Sequence, residues 1–396
     1  MKIVSIDIYQ IGAQGANKTV KFRPVVIKIN TDEGICGFGE AGLAYGKGST
    51  AGVGMVQDMA GLVIGADPFK IEELWEKLFR KTFWGMGGGS IVFGAISAID
   101  TACWDIKGKA FGVPVYQLLG GRTREKVRSY ASQIQFDWGK ANKKALVEPR
   151  EYADAAARAV AEGFDCVKVD PVSYTAEGIW AGADLGGILT HQQITLFANR
   201  VKAIREAVGP NVDIIIEIHS YLSVYSAIQF ARAIEDYNCL FYEEPIHPLN
   251  ADNMAQVARS VKIPLASGER IYSRWGYRPF FEKQALAVIQ PDLGLVGGIS
   301  EGKKICDYAH IYDVTVQCHV CGSPLATAIA LQLEAVIPNF IIHEFHANAM
   351  SDTNIAICKY PYLPQNGYLE IPDRPGIGQE LSEKVMRESL ILRAEG

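Results

Sequence analysis

The sequence predicts an α/β chain: a TIM-type barrel preceded by a smaller α+β module. Three observations carry this reading. From about residue 127, short apolar runs alternate with helical patterns eight times. Three of those runs end in glutamates at one interval: Glu217 in IIIEIH, Glu243 in FYEEP and Glu269 in ASGER, each 26 residues from the next. A strand, a loop, a helix and a return loop take roughly that many residues in a repeating β/α unit. Finally, 396 residues exceed one ordinary compact domain but suit a barrel of about 250 residues plus a second module.

The N-terminal module is read as residues 1–125. IVSIDIYQI and VVIKINT are β-branched and apolar, and DEG is a turn signal before ICGFGEAG. Residues 53–119 carry a 3.6-residue apolar period through GMVQDMAGLVIG, IEELWEKLFRKTF and GAISAIDTACWDIKGKAFG, ended by Gly120 and Gly121. The barrel is read as 126–350, with strands at 127–132, 166–171, 214–219, 240–245, 264–269, 287–293, 314–320 and 341–346. Eight parallel strands with crossover helices make a TIM-type barrel. Its first two connections are long, holding DWGKANKKALVEPR and SYTAEGIWAGADLGGILTHQQ, and long loops at the active face set specificity. The segment 351–396, rich in Pro and Gly, is expected to pack back on the N-terminal module.

Composition excludes several classes. The net charge is −5 and no basic run is present, so no nucleic-acid partner is expected. No stretch of 18 apolar residues suggests a membrane span, and MKIVSIDIYQ lacks a signal-peptide pattern. Eight cysteines without a framework spacing fit a reducing, cytoplasmic setting. Cys318 and Cys321 around His319 look like half a zinc site, but no second half exists, so they read as buried or pocket-lining thiols.

The strand ends carry the chemistry. Three converging carboxylates at one height suit a hard divalent cation, Mg²⁺ above all. Helix capping also places acids after strands, but does not explain an equal register. Lys168 and Asp170 end strand two, and His219 follows Glu217 at i+2, the same strand face. Asp292, His319 and Glu344 end strands six, seven and eight. Each alone is weak; together they ring one cavity, where inward apolar residues are the default. A zinc hydrolase barrel would want an HxH on its first strand, and VRSYAS has no His. A non-catalytic binding protein would be expected to lack a ligand, and none is missing.

This constellation resembles the enolase superfamily, within it the mandelate-racemase-like acid-sugar dehydratases, and most the galactonate dehydratase group. The motifs are MKI…TDEG…GFGE, AIDTACWDIKGK…VYQLLGG, EEP, SGER, QPDL with a following GGI, and a late His-Gly-Pro region. The resemblance implies a (β/α)7β barrel whose α+β capping domain is completed by the C-terminal tail. It implies Mg²⁺ on Glu217, Glu243 and Glu269, a His319–Asp292 dyad, Glu344 as strand-eight acid, and a symmetric homo-oligomer. The substrate it implies is a small acid sugar, dehydrated to a 2-keto-3-deoxy acid. Two positions depart from the common pattern: Glu217 where Asp is frequent, and Lys168-Val-Asp170 where many members have Lys-x-Lys.

Roles follow. His319 takes the proton α to the carboxylate, with Asp292 fixing its tautomer. His219 protonates the leaving β-hydroxyl. Three carboxylates and one Mg²⁺ sum to −1, so further cations are needed near the substrate, with Lys168 first and Arg270 balancing the ligand shell. Glu344 is expected to be a protonated hydrogen-bond donor. Asp170, Arg270 and His247 are the substrate-binding candidates. Segments near 12–23 and 45–50, with Trp84, Tyr174 and Trp180, are candidate specificity elements. An acid-sugar cycloisomerase or racemase using the same metal and base is the second reading.

Overall fold

The computed structural model describes residues 1–12, 22–139 and 144–395, without the side chains of Trp84 and Ala183. The expected specificity segment at 12–23, part of the first long loop, and Trp84 therefore lie largely outside what is described. Among the described residues no helix is long and apolar enough to cross a membrane.

β1 (Ile3–Gln10), β2 (Val25–Thr31) and β3 (Cys36–Ala41) form an antiparallel meander. Helices Ser49–Val63, Ile71–Lys81 and Ser90–Phe111 cover it. The glycines of GFGE have a packing reason. A Cβ at Gly39 would lie 2.0 Å from the carbonyl oxygen of Ala98, so only glycine lets the Ser90–Phe111 helix rest on β3.

The second sheet holds β4 (Lys126–Ser132), β5 (Cys166–Val169), β6 (Asp213–Glu217), β7 (Phe241–Glu243), β8 (Leu265–Ser267), β9 (Val288–Ile289), β10 (Thr315–Val316) and β11 (His343–His346). They run parallel in the order β10-β9-β8-β7-β6-β5-β4-β11, a curled sheet with helices between strands. At the seam the Val316 N–H donates to Asn339 O (2.8 Å) and the Ile341 N–H to Val316 O (3.0 Å). Residues leading into β11 thus lie against β10. The expected strands 287–293 and 314–320 shrink to two residues each. After β9 the cause is visible: Asp292 O accepts the N–H groups of Leu295 and Val296 and Asp292 Oδ1 that of Gly294, curling the chain out of the ladder.

The tail divides between the two sheets. β12 (Tyr368–Glu370) pairs antiparallel with β4, and β13 (Leu390–Glu395) with β1. Buried Asp105 ties helix, meander and tail together, accepting the N–H groups of Phe38 and Ile377 (both 2.9 Å) while pairing with Lys109 (2.7 Å).

The N-terminal helix also caps a helix of the parallel sheet. Gly298–His310 begins after Gly297 with no side-chain cap of its own. Ser97 Oγ accepts from Gly297 N (2.9 Å) and Gly298 N (3.0 Å), and Asp100 Oδ2 from Ser300 N (3.0 Å). These bonds satisfy the N–H groups a helix start leaves unpaired. Gly298 has φ +81°, and a Cβ there would meet Asp100 at 2.3 Å. The segments SAIDTACW (97–104) and GGIS (297–300) are therefore two halves of one joint. Ser97→Ala strips the acceptor from two buried N–H groups and is expected to cost about 1–3 kcal/mol. Denaturant unfolding checks this; an unchanged midpoint would contradict it.

Candidate metal and acid–base site

Glu217 is the last residue of β6 and Glu243 the last of β7, directly opposite each other in the parallel register. Glu269 is placed differently. The residue opposite Glu243 on β8 is Ala266, so Glu269 lies three positions further, beyond the strand end. The equal sequence interval therefore does not mean equal height. The turn after Ser267 brings the third carboxylate back, and one oxygen from each glutamate lies within 4.8 Å of the others. Gly268 permits that turn: a Cβ would sit 2.5 Å from Gln290 N and from the Tyr277 hydroxyl.

Three buried carboxylates so close repel one another. Burial, and next Glu217, push the Glu243 carboxyl well above the usual carboxylate range. Glu243 Oε2 is buried with no hydrogen-bond partner among the described residues. An all-oxygen cluster with an unsatisfied buried carboxylate oxygen fits a hard divalent cation.

Lys168 lies elsewhere than expected. It is 1% exposed, with Nζ 2.7 Å from Glu243, 2.8 Å from Glu344 and 3.2 Å from Glu217. Burial opposes its charge, but Glu243 and Glu344 outweigh it and raise its pKa. Lys168 is a fixed counter-charge inside the acidic ring, committed to three carboxylates rather than free to meet a substrate. The same contacts correct the expectation for Glu344. Its carboxylate accepts from Ser132 Oγ (2.8 Å) and Val320 N (2.9 Å) besides pairing with Lys168. Burial works to raise its pKa, but Lys168 and His319 prevail and bring it down to about 2. These contacts favour the ionised, accepting form of Glu344 over the protonated donor expected from sequence.

Two imidazole–carboxylate pairs flank the glutamates. His319 Nδ1 is 2.7 Å from Asp292 Oδ2, while Nε2 faces Glu269 at 3.1 Å. His219 Nδ1 is 2.5 Å from Asp170 Oδ2. The strand-parity argument for His219 does not hold, because β6 ends at Glu217 and His219 has φ +49°. A turn presents it instead, with Glu217 Oε1 accepting the N–H groups of Ile218 (3.0 Å) and His219 (2.7 Å). Burial opposes charge on His219, but Glu217 and Asp170 overcome it and raise its pKa to about 9. Asp170, expected at the substrate, is fully buried and spent on His219 and on the Val172 N–H (2.9 Å).

Arg270 bridges Glu269 and Glu244, so it balances acids next to the cluster. Burial first, and Glu269 second, raise the Glu244 pKa to about 8 against the pull of Arg270. His247 is exposed, and no bond ties it to the ring among the described residues. His343 points away, its Nδ1 on Glu334 (2.7 Å) of the Pro324–Glu334 helix.

The sequence reading missed what the meander contributes. Buried Glu40, from GFGE, accepts from Ser323 N (3.1 Å) and Ser323 Oγ (2.5 Å), steadying the turn after His319. Gly42 N donates to Gly294 O (2.8 Å) beside Asp292. Cys321 bonds the His319 ring. Only the position of GFGE at a strand end hinted at this, since its partners are more than 250 residues away.

The chain also matches known proteins over most of its length. Residues 151–385 match the family described as enolase C-terminal domain-like, and residues 10–120 the mandelate racemase/muconate lactonizing enzyme N-terminal domain. The chain is 33% identical over 390 residues to a D-galactonate dehydratase of Variovorax paradoxus, covering 97% of this chain and 93% of that one. It is 34% identical over 362 residues to a D-xylonate dehydratase of Haloferax volcanii, covering 90% and 83%. A crystal structure of an enolase superfamily member from Salmonella Typhimurium superposes with TM-score 0.96 at 55% identity, over 100% of both chains.

A cation that binds only the folded cluster must stabilise the fold, by about 2.7 kcal/mol at a hundredfold excess over its dissociation constant. Mg²⁺ is expected to raise the thermal midpoint, EDTA to reverse the rise, and Glu269→Gln to abolish it. A wild-type midpoint indifferent to Mg²⁺ and EDTA would contradict the assignment.

Proposed function

The chain belongs to the enolase superfamily, as an enzyme with mandelate racemase/muconate lactonizing enzyme domains, and from that premise we propose that it is a Mg²⁺-dependent acid-sugar dehydratase. The carbon–oxygen lyase class agrees with the names of its relatives, D-galactonate and D-xylonate dehydratase. The curled sheet is read as a (β/α)7β barrel (126–350) under a capping domain (1–125) that the C-terminal segment (351–396) completes.

One observation carries the reading. Two imidazole–carboxylate pairs stand at a three-glutamate cluster, His319–Asp292 beside Glu269 and His219–Asp170 beside Glu217. Syn or anti elimination of water needs a base for one proton and an acid for one leaving hydroxyl, both near the group that stabilises the carboxylate. Glu217, Glu243 and Glu269 would hold Mg²⁺, which supplies Lewis-acid stabilisation of the negative charge that builds on the substrate carboxylate.

The chain's own residues do the rest. Asp292 holds a proton on His319 Nδ1 and leaves Nε2 to take the proton from C2 of the acid. The C–H electron pair moves first into the carboxylate, and only then into the C2–C3 double bond as the C3–O bond breaks. His219 delivers a proton to the departing oxygen, and water leaves. The resulting enol tautomerises to a 2-keto-3-deoxy acid. Lys168 holds Glu344 and the ligand glutamates in place, and Arg270 offsets Glu244 and Glu269.

Two dyads at one cluster also suit a racemase, which moves the proton without losing water; release of a 2-keto acid separates the two. His319→Asn is expected to lose α-proton exchange with deuterated solvent by roughly 10²–10⁴-fold while keeping the Mg²⁺-dependent thermal shift. Wild-type exchange in that variant would remove His319 as the base. His219→Asn is expected to lose elimination by a similar factor but to retain α-exchange, read by NMR. Equal loss of both reactions would contradict a purely acid role.

A further inference from the structure

The connection after β5 is long but not loose. Fully buried Arg200 donates to the carbonyls of Pro171 (2.8 Å), Tyr174 (2.6 Å) and Val147 (3.0 Å). Above these anchors the chain makes its own hairpin. Tyr174 bridges Trp180, the Thr175 N–H donates to Ile179 O (2.9 Å) and the Ala181 N–H to Ser173 O (2.9 Å). The loop is therefore preorganised, and it delivers one side chain toward the cluster's edge. The Trp180 ring packs against Phe136 (6.4 Å, nearly parallel), Tyr174 (5.4 Å, edge-on) and Tyr221 (6.2 Å, edge-on).

Tyr221 is the inner member of this row, its ring 6.1 Å from the His219 ring. Its backbone is set by the same left-handed turn that presents His219, with the Tyr221 N–H on Ile218 O (3.2 Å) and a bridge to Ile246. Gly182 also crowds the ring, since a Cβ there would lie 2.7 Å from Tyr221 Cζ and 2.9 Å from Trp180 Nε1. The charges of Asp170, Arg270, Glu217 and Glu269 all act on the phenol. The ring is half-buried. Its hydroxyl makes no hydrogen bond among the described residues, although the groups around it are densely bonded. A clamped phenol with an unspent hydroxyl beside the general acid is placed to meet a ligand rather than to hold the fold.

We propose that Tyr221, clamped by Trp180 and Gly182, is a specificity-determining residue that hydrogen-bonds a hydroxyl of the acid sugar beyond the carbon losing water, with its ring against the sugar's C–H face. This rests on the acid-sugar reading above. The side follows from chemistry. His219 serves the C3 oxygen, so a ring packed against His219 is placed for the carbons next to C3, C4 and beyond. An aromatic face with one hydroxyl suits a chain of carbons that each carry both a C–H and an O–H.

The test measures binding and turnover separately. Calorimetry with Mg²⁺ present compares wild type and Tyr221→Phe against five- and six-carbon aldonates, and against glycerate, which has no carbon beyond C3. Tyr221→Phe is expected to weaken the longer acids about 3- to 10-fold, the range of one neutral hydrogen bond, and to leave glycerate unchanged. In turnover the loss should fall on KM, with kcat kept within about twofold. Gly182→Ala should weaken the same long acids, because its methyl must displace the phenol or the indole. Unchanged binding of the longer acids by Tyr221→Phe, or equal weakening of glycerate, overturns the proposal. A wild type that binds aldonates through Tyr221 but releases no 2-keto acid overturns the dehydratase reading and leaves this one standing. A wild type that binds no aldonate overturns both.

Discussion

Negative charge crowded into one buried ring is the constraint on which the site depends. Seven carboxyl groups, those of Asp170, Glu217, Glu243, Glu244, Glu269, Asp292 and Glu344, stand in or just past strands β5 to β9 and β11 of the curled sheet. Against them the chain sets Lys168, Arg270 and the imidazoles of His219 and His319. Taking charge out of water is costly unless each group is paired. The pairing is accordingly specific: Lys168 to three acids, Arg270 to two, each imidazole to its own aspartate. What is left over is concentrated at Glu217, Glu243 and Glu269, where Glu243 is pushed toward its protonated form and a divalent cation would balance the ionised cluster.

The pairings also divide labour. Lys168 is fully enclosed and paired with three carboxylates, so its fixed charge can set the shape of the cluster. The two dyads sit less deeply, with the His219 side chain 20% and the His319 side chain 14% exposed, and each abuts a different glutamate of the cluster. Their supports come from different places. Asp170 reaches His219 from the preceding strand end. Asp292 is held by a turn that Gly42 of the meander touches, and the turn after His319 is held by Glu40. The N-terminal module thus steadies the turns around His319 and Asp292, while the loop after β5 borders His219.

Much of this was legible in the chain, and the rest failed for identifiable reasons. The glutamates could be found because acids that end apolar runs break the expected inward pattern of a barrel, and EEP and SGER stand out against it. Their equal interval was a poor guide to height: Glu269 lies past its strand end and returns through the turn at Gly268. Lys168 was recognised but misplaced, since sequence gives no depth along a strand. Asp170 was assigned to substrate because its partner, His219, leaves the strand in a left-handed turn that parity cannot foresee. The joint of Ser97 and Asp100 with GGIS, and the support from Glu40, span 200 residues or more. Such contacts leave short motifs in the sequence but not their pairing. Tyr221 carried no signal at all, because its place depends on a glycine and an indole from another loop.

The central claim is that these three glutamates hold one divalent cation while Lys168 stays on its carboxylates. Anomalous diffraction from a crystal soaked in Mn²⁺, a stand-in for Mg²⁺, tests it directly. The account predicts a single strong peak about 2.0–2.2 Å from an oxygen of each of Glu217, Glu243 and Glu269, with the Lys168 pairs intact. No peak between them, or a peak elsewhere with the three carboxylates turned apart, would contradict it.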